Sequence, residues 1–350
     1  MKNKYKIAII GSYPPPYGGI SVHVQRMLAR LDKEKFVFFN TAKSSYEGSR
    51  PFWGKHKFIQ SFLFIFKPYR LIHYHTPDDV ARVLLSFVGY FRKNIYLHIH
   101  GESLEQTLNR KSPLAFIQKI LLHNVHILAS NSRIVQIVKP FNPRSIHEID
   151  AFLPPLFDAE MYEKIRRLIP DTNSDLTISM VGWFRSYLDT DVYGYDIALE
   201  ALHILQDDYK INVTIIASVN GINDQKLFQK FQERRRELEL EESFLLIMDD
   251  LDEVWPLYLK SDIFIRPTNT DGGAVSIKEA QWFDAEVIAS DAVPRPQGIS
   301  LFKNRDAKDL ASQIFRVSQQ KYANADMRIQ KARTNNFTSK LLEEIYHIEE

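Results

Sequence analysis

The 350-residue sequence has no cysteine, which excludes disulfides, thiolate metal ligands and cysteine nucleophiles at the outset. It also lacks an excess of charge: 45 Lys and Arg stand against 43 Asp and Glu, a net +2. That balance gives no whole-molecule case for nucleic-acid binding, which needs a clustered basic face. No stretch approaches the roughly 20 apolar residues of a membrane span. The opening MKNKYKIAIIGSYPPP has basic residues before an apolar run, as a signal peptide does. The run Ile7 to Ile10 is too short for a signal core, and a proline turn follows at once. A soluble, cytoplasmic protein is expected. Tandem repeats and low-complexity tracts are absent as well.

What remains is an ordinary globular composition, 45% hydrophobic and 25% charged, in a chain too long for one core. Two domains are expected. Lys6 to Ile10 reads as a strand, Ser12 to Gly19 as a proline- and glycine-rich loop, and Ile20 to Leu31 as a helix. Strand-like runs recur at Val37–Phe39, Leu71–His75, Ile95–His100 and His126–Ala129, separated by helix-length segments. A second series begins near residue 176, with strands at Leu176–Val181, Val213–Ala217, Phe244–Met248, Ile263–Ile265 and Glu286–Ala289. Tyr195 to Leu205 has helical spacing. Between the series, Phe152 to Leu156, the charged segment Glu160 to Arg167 and the polar Asp171 to Ser174 read as a connection. Alternating strands and helices imply parallel sheets, which bind ligands at the carboxyl ends of their strands. Gly11 to Gly19, Thr76 to Asp78 and His98 to Glu102 therefore matter most in the first half.

The most informative stretch runs from Ile263 to Asp291. An apolar strand leads to Pro267, Asp271-Gly272-Gly273 makes a turn, and Ala274 to Phe283 has helical character. Glu279 lies about two helical turns beyond Asp271. Backbone N–H groups at such a helix start suit an anion. Ionised carboxylates only accept, so they suit hydroxyl groups. A diphosphate flanked by polyols, as in a nucleotide-sugar, matches both. A dinucleotide oxidoreductase is disfavoured, since the first loop reads GSYPPPYGG rather than GxGxxG.

Several segments together resemble the GT-B glycosyltransferases, most nearly the retaining family called GT4, which builds bacterial surface polysaccharides and glycolipids. They are YPPPYGGISVHVQRMLARL, LIHYHTPD, YLHIHGES, ILASNSRIV, VGW with YGYDIALEAL, the acidic loop and helix, and NNFTSKLLEEIYHIEE. The resemblance implies an α/β fold of two Rossmann-like domains facing each other across a cleft. Residues 1–170 would bind acceptor and residues 171–334 the nucleotide-sugar donor; residues 335–350 would form a helix returning to the first domain. It implies that Glu279 holds the ribose hydroxyls and Asp271 those of the donor sugar. Gly272, Gly273, Ala274 and Val275 would face the diphosphate, with Gly18 and Gly19 approaching it from the first domain. His100 would be the active-site histidine, holding a donor hydroxyl by its ring or adjacent backbone. It further implies same-face attack assisted by the leaving phosphate, and neither metal nor cofactor.

Two departures stand out. The family motif is Glu, seven residues, Glu; here its first member is Asp271, one methylene shorter. The basic pair that usually grips the diphosphate is missing from Gly182-Trp183-Phe184-Arg185 and Tyr193-Gly194. Arg185 and Arg266 are the replacement candidates, with Arg295 weaker; Arg presents a planar fork to phosphate. Trp183 is open between core and base-stacking roles. His73, His75, His98 and His100 alternate along two strands, but no further ligand falls at a recognised spacing, so no metal is expected. Arg50 to Pro77 holds Arg50, Lys55, Lys57, Lys67 and Arg70 among many aromatics with no acidic residue. It reads either as a surface for anionic lipid at the inner membrane face, suiting a lipid-linked acceptor, or as an ordinary core-packed helix. The competing functions are a GT-B-fold sugar epimerase and a nucleotide-sugar-binding subunit without turnover.

Overall fold

The computed structural model describes residues 6–15, 17–75, 77–101, 103–249, 251, 253–270, 275–319, 328 and 345–346. The chain divides into two units, Met1–Leu153 with Phe337–Glu350, and Pro154–Asn336.

The first unit runs β1 (Ile7–Gly11), α1 (Gly19–Ala29), β2 (Phe36–Asn40), β3 (Arg50–Pro51), α2 (His56–Phe66) and β4 (Leu71–Tyr74). It continues α3 (Asp79–Phe91), β5 (Ile95–Ile99), α4 (Ser103–Asn109), α5 (Pro113–Leu121), β6 (His126–Ala129), α6 (Ser132–Val138) and β7 (Ser145–Glu148). The strands form one sheet in the order β3-β2-β1-β4-β5-β6-β7. Every pairing is parallel. β1 is buried along its whole length, as a strand covered on both faces must be, which is why it reads as an unbroken apolar run. Ile9 pairs with Phe38 on one side and His73 on the other. Ile345 and Tyr346 pack into the core beside α1 and β1. The Tyr346 hydroxyl meets His73 Nδ1 at 2.6 Å, and its carbonyl accepts from Arg70 at 2.6 Å. The rest of the expected terminal helix, 335–350, lies outside the described residues.

The second unit begins with α7 (Ala159–Arg166), then β8 (Leu176–Phe184), β9 (Ser186–Tyr187), β10 (Thr190–Asp191) and α8 (Tyr195–Asp207). There follow β11 (Val213–Ile222), α9 (Gln225–Glu237), β12 (Phe244–Ile247), α10 (Trp255–Lys260) and β13 (Ile263–Arg266). The last described elements are α11 (Val275–Trp282), β14 (Glu286–Ser290), β15 (Ser300–Phe302) and α12 (Ala307–Ser318). Six strands pair in parallel as β12-β11-β8-β13-β14-β15, and β9 and β10 make a small antiparallel hairpin. α7 packs on α10, so the charged segment from Glu160 is helix rather than connection.

Both sheets reverse direction of travel at their centres. In the first, the chain moves outward from β1 to β2 and β3, then returns to β4 on the other side; in the second it moves from β8 to β11 and β12, then returns to β13. The carboxyl ends of β1 and β4, and of β8 and β13, therefore flank the two switch points, where an open parallel sheet leaves a crevice for ligands.

Candidate functional site

In the second unit the segments after β8, β10, β13 and β14 are tied together at the switch point. Gly194, just before α8, has φ +73°, and a Cβ there would lie 2.1 Å from the Pro267 carbonyl oxygen. Only glycine allows β13's exit to pass so close. Asn269 donates its amide to the Val192 carbonyl at 3.0 Å and its side-chain nitrogen to the Asp191 carbonyl. Ser290 donates to the Thr268 carbonyl at 2.5 Å. Arg295 then locks this corner, bonding the Ser290 carbonyl at 2.9 Å and the Thr268 hydroxyl at 2.9 Å. Its guanidinium is consumed in holding loops.

The other cation candidates separate. Arg266, half-buried at the end of β13, donates to the Val181 carbonyl at 3.2 Å, with its guanidinium 5.4 Å from the Tyr193 ring centre. It stays at the switch point. Arg185 is exposed and lines a depression with Ser186, Asn223, Asp224, Gln225 and Lys226 beside the β9–β10 hairpin. Gly182 is buried beneath Tyr193, where a Cβ would lie 2.5 Å from the ring; packing alone accounts for that glycine. Trp183 rests against Gly221, whose Cβ would lie 2.4 Å from the indole. α11 follows the β13 exit, opening at Val275, and Glu279 is buried on it at 6% exposure. Asp271, Gly272, Gly273 and Ala274 lie outside the described residues.

Asp191 is a member of this corner that the sequence did not single out. It is 3% exposed and accepts from the amides of Tyr193 at 2.9 Å and Asp196 at 3.3 Å. Burial, and then the neighbouring Asp196 carboxylate, push its pKa up to about 6. Asp196 itself is paired by Arg305 through two bonds, at 2.8 and 2.5 Å.

In the first unit, Gly18 and Gly19 are exposed at the start of α1. Gly18 has φ −173°, an extended conformation open to any residue, and a Cβ there would meet nothing within 4 Å. Nothing in the fold itself demands glycine at that point, whereas close approach by a ligand would. Beside this loop five histidines gather. His73 and His75 come from β4 and the residue after it, His98 and His100 from β5 and its exit, and His23 from α1. The rings of His98 and His100 stack at 4.0 Å, and His23 stands 4.8 Å from His100. Burial lowers the pKa of each, that of His23 to about 4, so the cluster is neutral at pH 7. His100 is the least enclosed, lying toward the β5 exit. Thr76 and Glu102 lie outside the described residues.

Comparison with known proteins agrees with this architecture. Residues 188–335 match the family model described as glycosyl transferases group 1. HepE (Alr3699) of Anabaena, solved in complex with UDP, superposes with a TM-score of 0.69 at 13% identity, over 94% of this chain and 93% of that one. The fold is GT-B. A glycosyltransferase from Rickettsia africae superposes at TM-score 0.65 and 15% identity, over 98% and 99% of the two chains. The lipopolysaccharide outer core galactosyltransferase WaaB gives 0.62 at 13% identity, over 98% of each. No curated protein sequence matches the chain.

Within the GT-B frame, the structure brings Gly182, Arg266, Val275 and Glu279 to one end of the second sheet, and Gly18, Gly19 and His100 to one end of the first. Arg185 follows β8 at that same end of the second sheet, its carbonyl accepting from the Val192 amide at 2.9 Å, with its exposed side chain lining the depression beside Asn223 and Asp224. His23 escaped the sequence reading because it sits on a helix about fifty residues before the strand histidines, and only the parallel pairing of β1 with β4 brings it there. Asp191 had no motif to mark it.

Proposed function

We propose that the protein is a retaining, GT4-like glycosyltransferase that moves a hexose from a nucleotide-sugar to a carbohydrate or lipid-linked acceptor in bacterial surface polysaccharide or glycoconjugate synthesis. The observation that carries this reading is a buried carboxylate, Glu279, on the helix that follows β13 at the switch point, inside the segment matching the glycosyl transferases group 1 model. A carboxylate enclosed there has acceptor capacity suited to ribose hydroxyls. The N–H groups opening α11 at Val275, with the Asp271–Ala274 loop, suit the diphosphate. Arg266 is the cation we assign to the departing phosphate, where preorganised donors stabilise developing charge. Asp271 and His100 are assigned to sugar hydroxyls, and Gly18 and Gly19 to close approach of the first loop. Transfer in this scheme needs no metal ion or cofactor, and the attacking hydroxyl gives its proton to the leaving phosphate.

The related folds suggest where to begin. HepE has been solved with UDP-glucose, so UDP-glucose heads a donor panel that also includes UDP-galactose, GDP-mannose and ADP-glucose. A ligand bound only by the native state raises the melting temperature, and the matching donor should do so. Glu279→Gln should keep the fold and weaken donor binding roughly 100-fold, the order expected for losing two charge-assisted hydrogen bonds. If no nucleotide-sugar shifts the melting temperature, the assignment fails.

A second reading has one observation in its favour. Arg295 is consumed structurally and the Arg185 side chain lines an exposed depression beside Asp224, so the diphosphate has few cations for a leaving group. A donor-binding subunit without turnover would bind UDP-sugars yet neither transfer nor hydrolyse them, which the same panel distinguishes by product analysis.

A further inference from the structure

The histidines of the first unit include four whose nearest ring nitrogens, one each from His23, His75, His98 and His100, all lie within 4.8 Å of one another. Three of these residues are buried and the fourth partly so. A cluster of neutral imidazoles with no carboxylate in the group among the described residues is an unusual occupant of a protein interior. Each neutral ring carries one N–H and one lone pair, and a buried polar atom without a partner costs about 1–3 kcal/mol. His98, 1% exposed, has no hydrogen-bond partner for either ring nitrogen among the described residues. His23, 2% exposed, places Nδ1 at 2.6 Å from the Ala151 carbonyl oxygen. A carbonyl only accepts, so Nδ1 holds the proton and the lone pair is on Nε2, which has no partner among the described residues. A backbone carbonyl on one ring nitrogen fixing the lone pair on the other is how metal-binding histidines are commonly oriented.

We propose that His23, His75, His98 and His100 form a binding site for one divalent transition-metal ion of borderline softness, with zinc the representative member. The donor set selects this class. Four neutral nitrogens suit zinc, cobalt, nickel or copper, whereas magnesium and calcium require oxygen ligands. The spacing is close to what such an ion needs. Zn–N bonds of about 2.0–2.1 Å in a tetrahedron put neighbouring nitrogens about 3.3 Å apart. His75 Nδ1 and His100 Nε2 are 3.2 Å apart, and the ligand nitrogens of all four residues, His23 and His98 included, lie within 4.8 Å of one another. The ion would clip α1 to the carboxyl ends of β4 and β5, fixing the start of α1 where Gly18 and Gly19 are exposed. It would engage the His100 ring and leave the backbone at His100 and Gly101 for a sugar hydroxyl. The site does not depend on the transferase reading.

The test uses the full chain, stripped with a chelator and then equilibrated with cobalt or zinc. The expected result is one ion per chain, a cobalt spectrum with the intense visible d–d bands of tetrahedral coordination, and a zinc absorption-edge first shell of nitrogens at about 2.0–2.1 Å. His98→Phe, which keeps the volume and removes a ligand, should weaken cobalt binding on the order of 100-fold or more. His56→Gln, outside the cluster, should leave it unchanged. Substoichiometric uptake by the wild-type chain, or a first shell dominated by water oxygens, overturns the proposal and would mean that the ring nitrogens are satisfied by water. Because those readouts use the unaltered protein, they decide the matter even if His98→Phe does not fold.

Discussion

At the end of β10, Asp191 combines near-complete burial with two bonds from backbone amides, and its neighbour Asp196 is a second carboxylate. The amide bonds favour the ionised form, but burial and repulsion outweigh them and hold the pKa near 6. The unfolded chain releases that proton near pH 3.9. Between about pH 4 and pH 6 the folded state therefore binds more protons than the unfolded one, and stability from this group falls as pH rises. A shift of this size corresponds to on the order of 2–3 kcal/mol. Asp191→Asn removes the titration. The stability of that variant minus that of the wild type should rise by this amount between pH 4 and pH 7 in urea melts. A difference that stays flat over the range would remove Asp191 from the account. The residues legible in the sequence were those fixed by local pattern: Glu279 follows a strand and turn by helical spacing, and Gly18 follows the first strand. Gly182 shows a limit of such patterns, since a glycine cleared for a ligand and one cleared for a ring such as Tyr193 look identical in sequence. Asp191 and His23 gave no signal because their neighbours come from distant parts of the chain.

The elements were read well where burial on both faces left an unbroken apolar run, as in β1 and the start of β13. The three edge-side strands β3, β7 and β15 were missed. β7 reads Ser-Ile-His-Glu and is only partly buried, and β15 has three residues, so neither carries enough apolar length to stand out. The joints between elements make a sharper test of which glycines serve the fold. Gly194→Ala meets both a left-handed backbone and the Pro267 carbonyl oxygen at 2.1 Å, and a carbonyl in the main chain cannot move aside as a side-chain tip can. We expect destabilisation of about 3 kcal/mol or more in thermal or urea unfolding. Gly18→Ala, with extended φ and open space around its Cβ, should change stability by less than about 0.5 kcal/mol. If the proposed loop contact with donor or acceptor is right, that same variant should lose turnover while keeping its melting temperature. A Gly18→Ala enzyme with full activity would assign the loop to structure alone.

On the scale of the whole molecule, the distribution of exposed apolar surface is uneven. In the first unit α2 packs on α3, and α3 on α5. Trp53, Phe58, Ile59, Phe62 and Phe66 are exposed on or just before α2, Phe87, Tyr90 and Phe91 on α3, and Phe116, Ile117 and Ile120 on α5. α2 buries only Ser61 and Phe64, so the reading of this helix as ordinarily core-packed accounts for few of its aromatics. Single exposed apolar residues are normal on proteins, but a row across three neighbouring helices marks an interaction surface. No helix of the described residues is long and apolar enough to cross a membrane. Exposed Lys55, Arg110, Lys111 and Lys119 lie among these helices, and we propose that this row meets anionic lipid, the surroundings of a lipid-linked acceptor. Lys57 is a poor probe of that face, because it is 2.7 Å from Asp78, which caps α3. Neutralising it would disturb a helix start. Lys55→Gln with Lys119→Gln is the cleaner pair, and at about 1 kcal/mol per residue it should weaken binding to phosphatidylglycerol vesicles roughly 10- to 30-fold at low salt. Added salt should erase that difference by screening. Phe62→Ser with Phe66→Ser should weaken binding at every salt concentration, since buried apolar area is screened by nothing. If the wild-type chain stays in solution with anionic vesicles at low salt, the row of aromatics must serve a protein partner or a second copy of the chain.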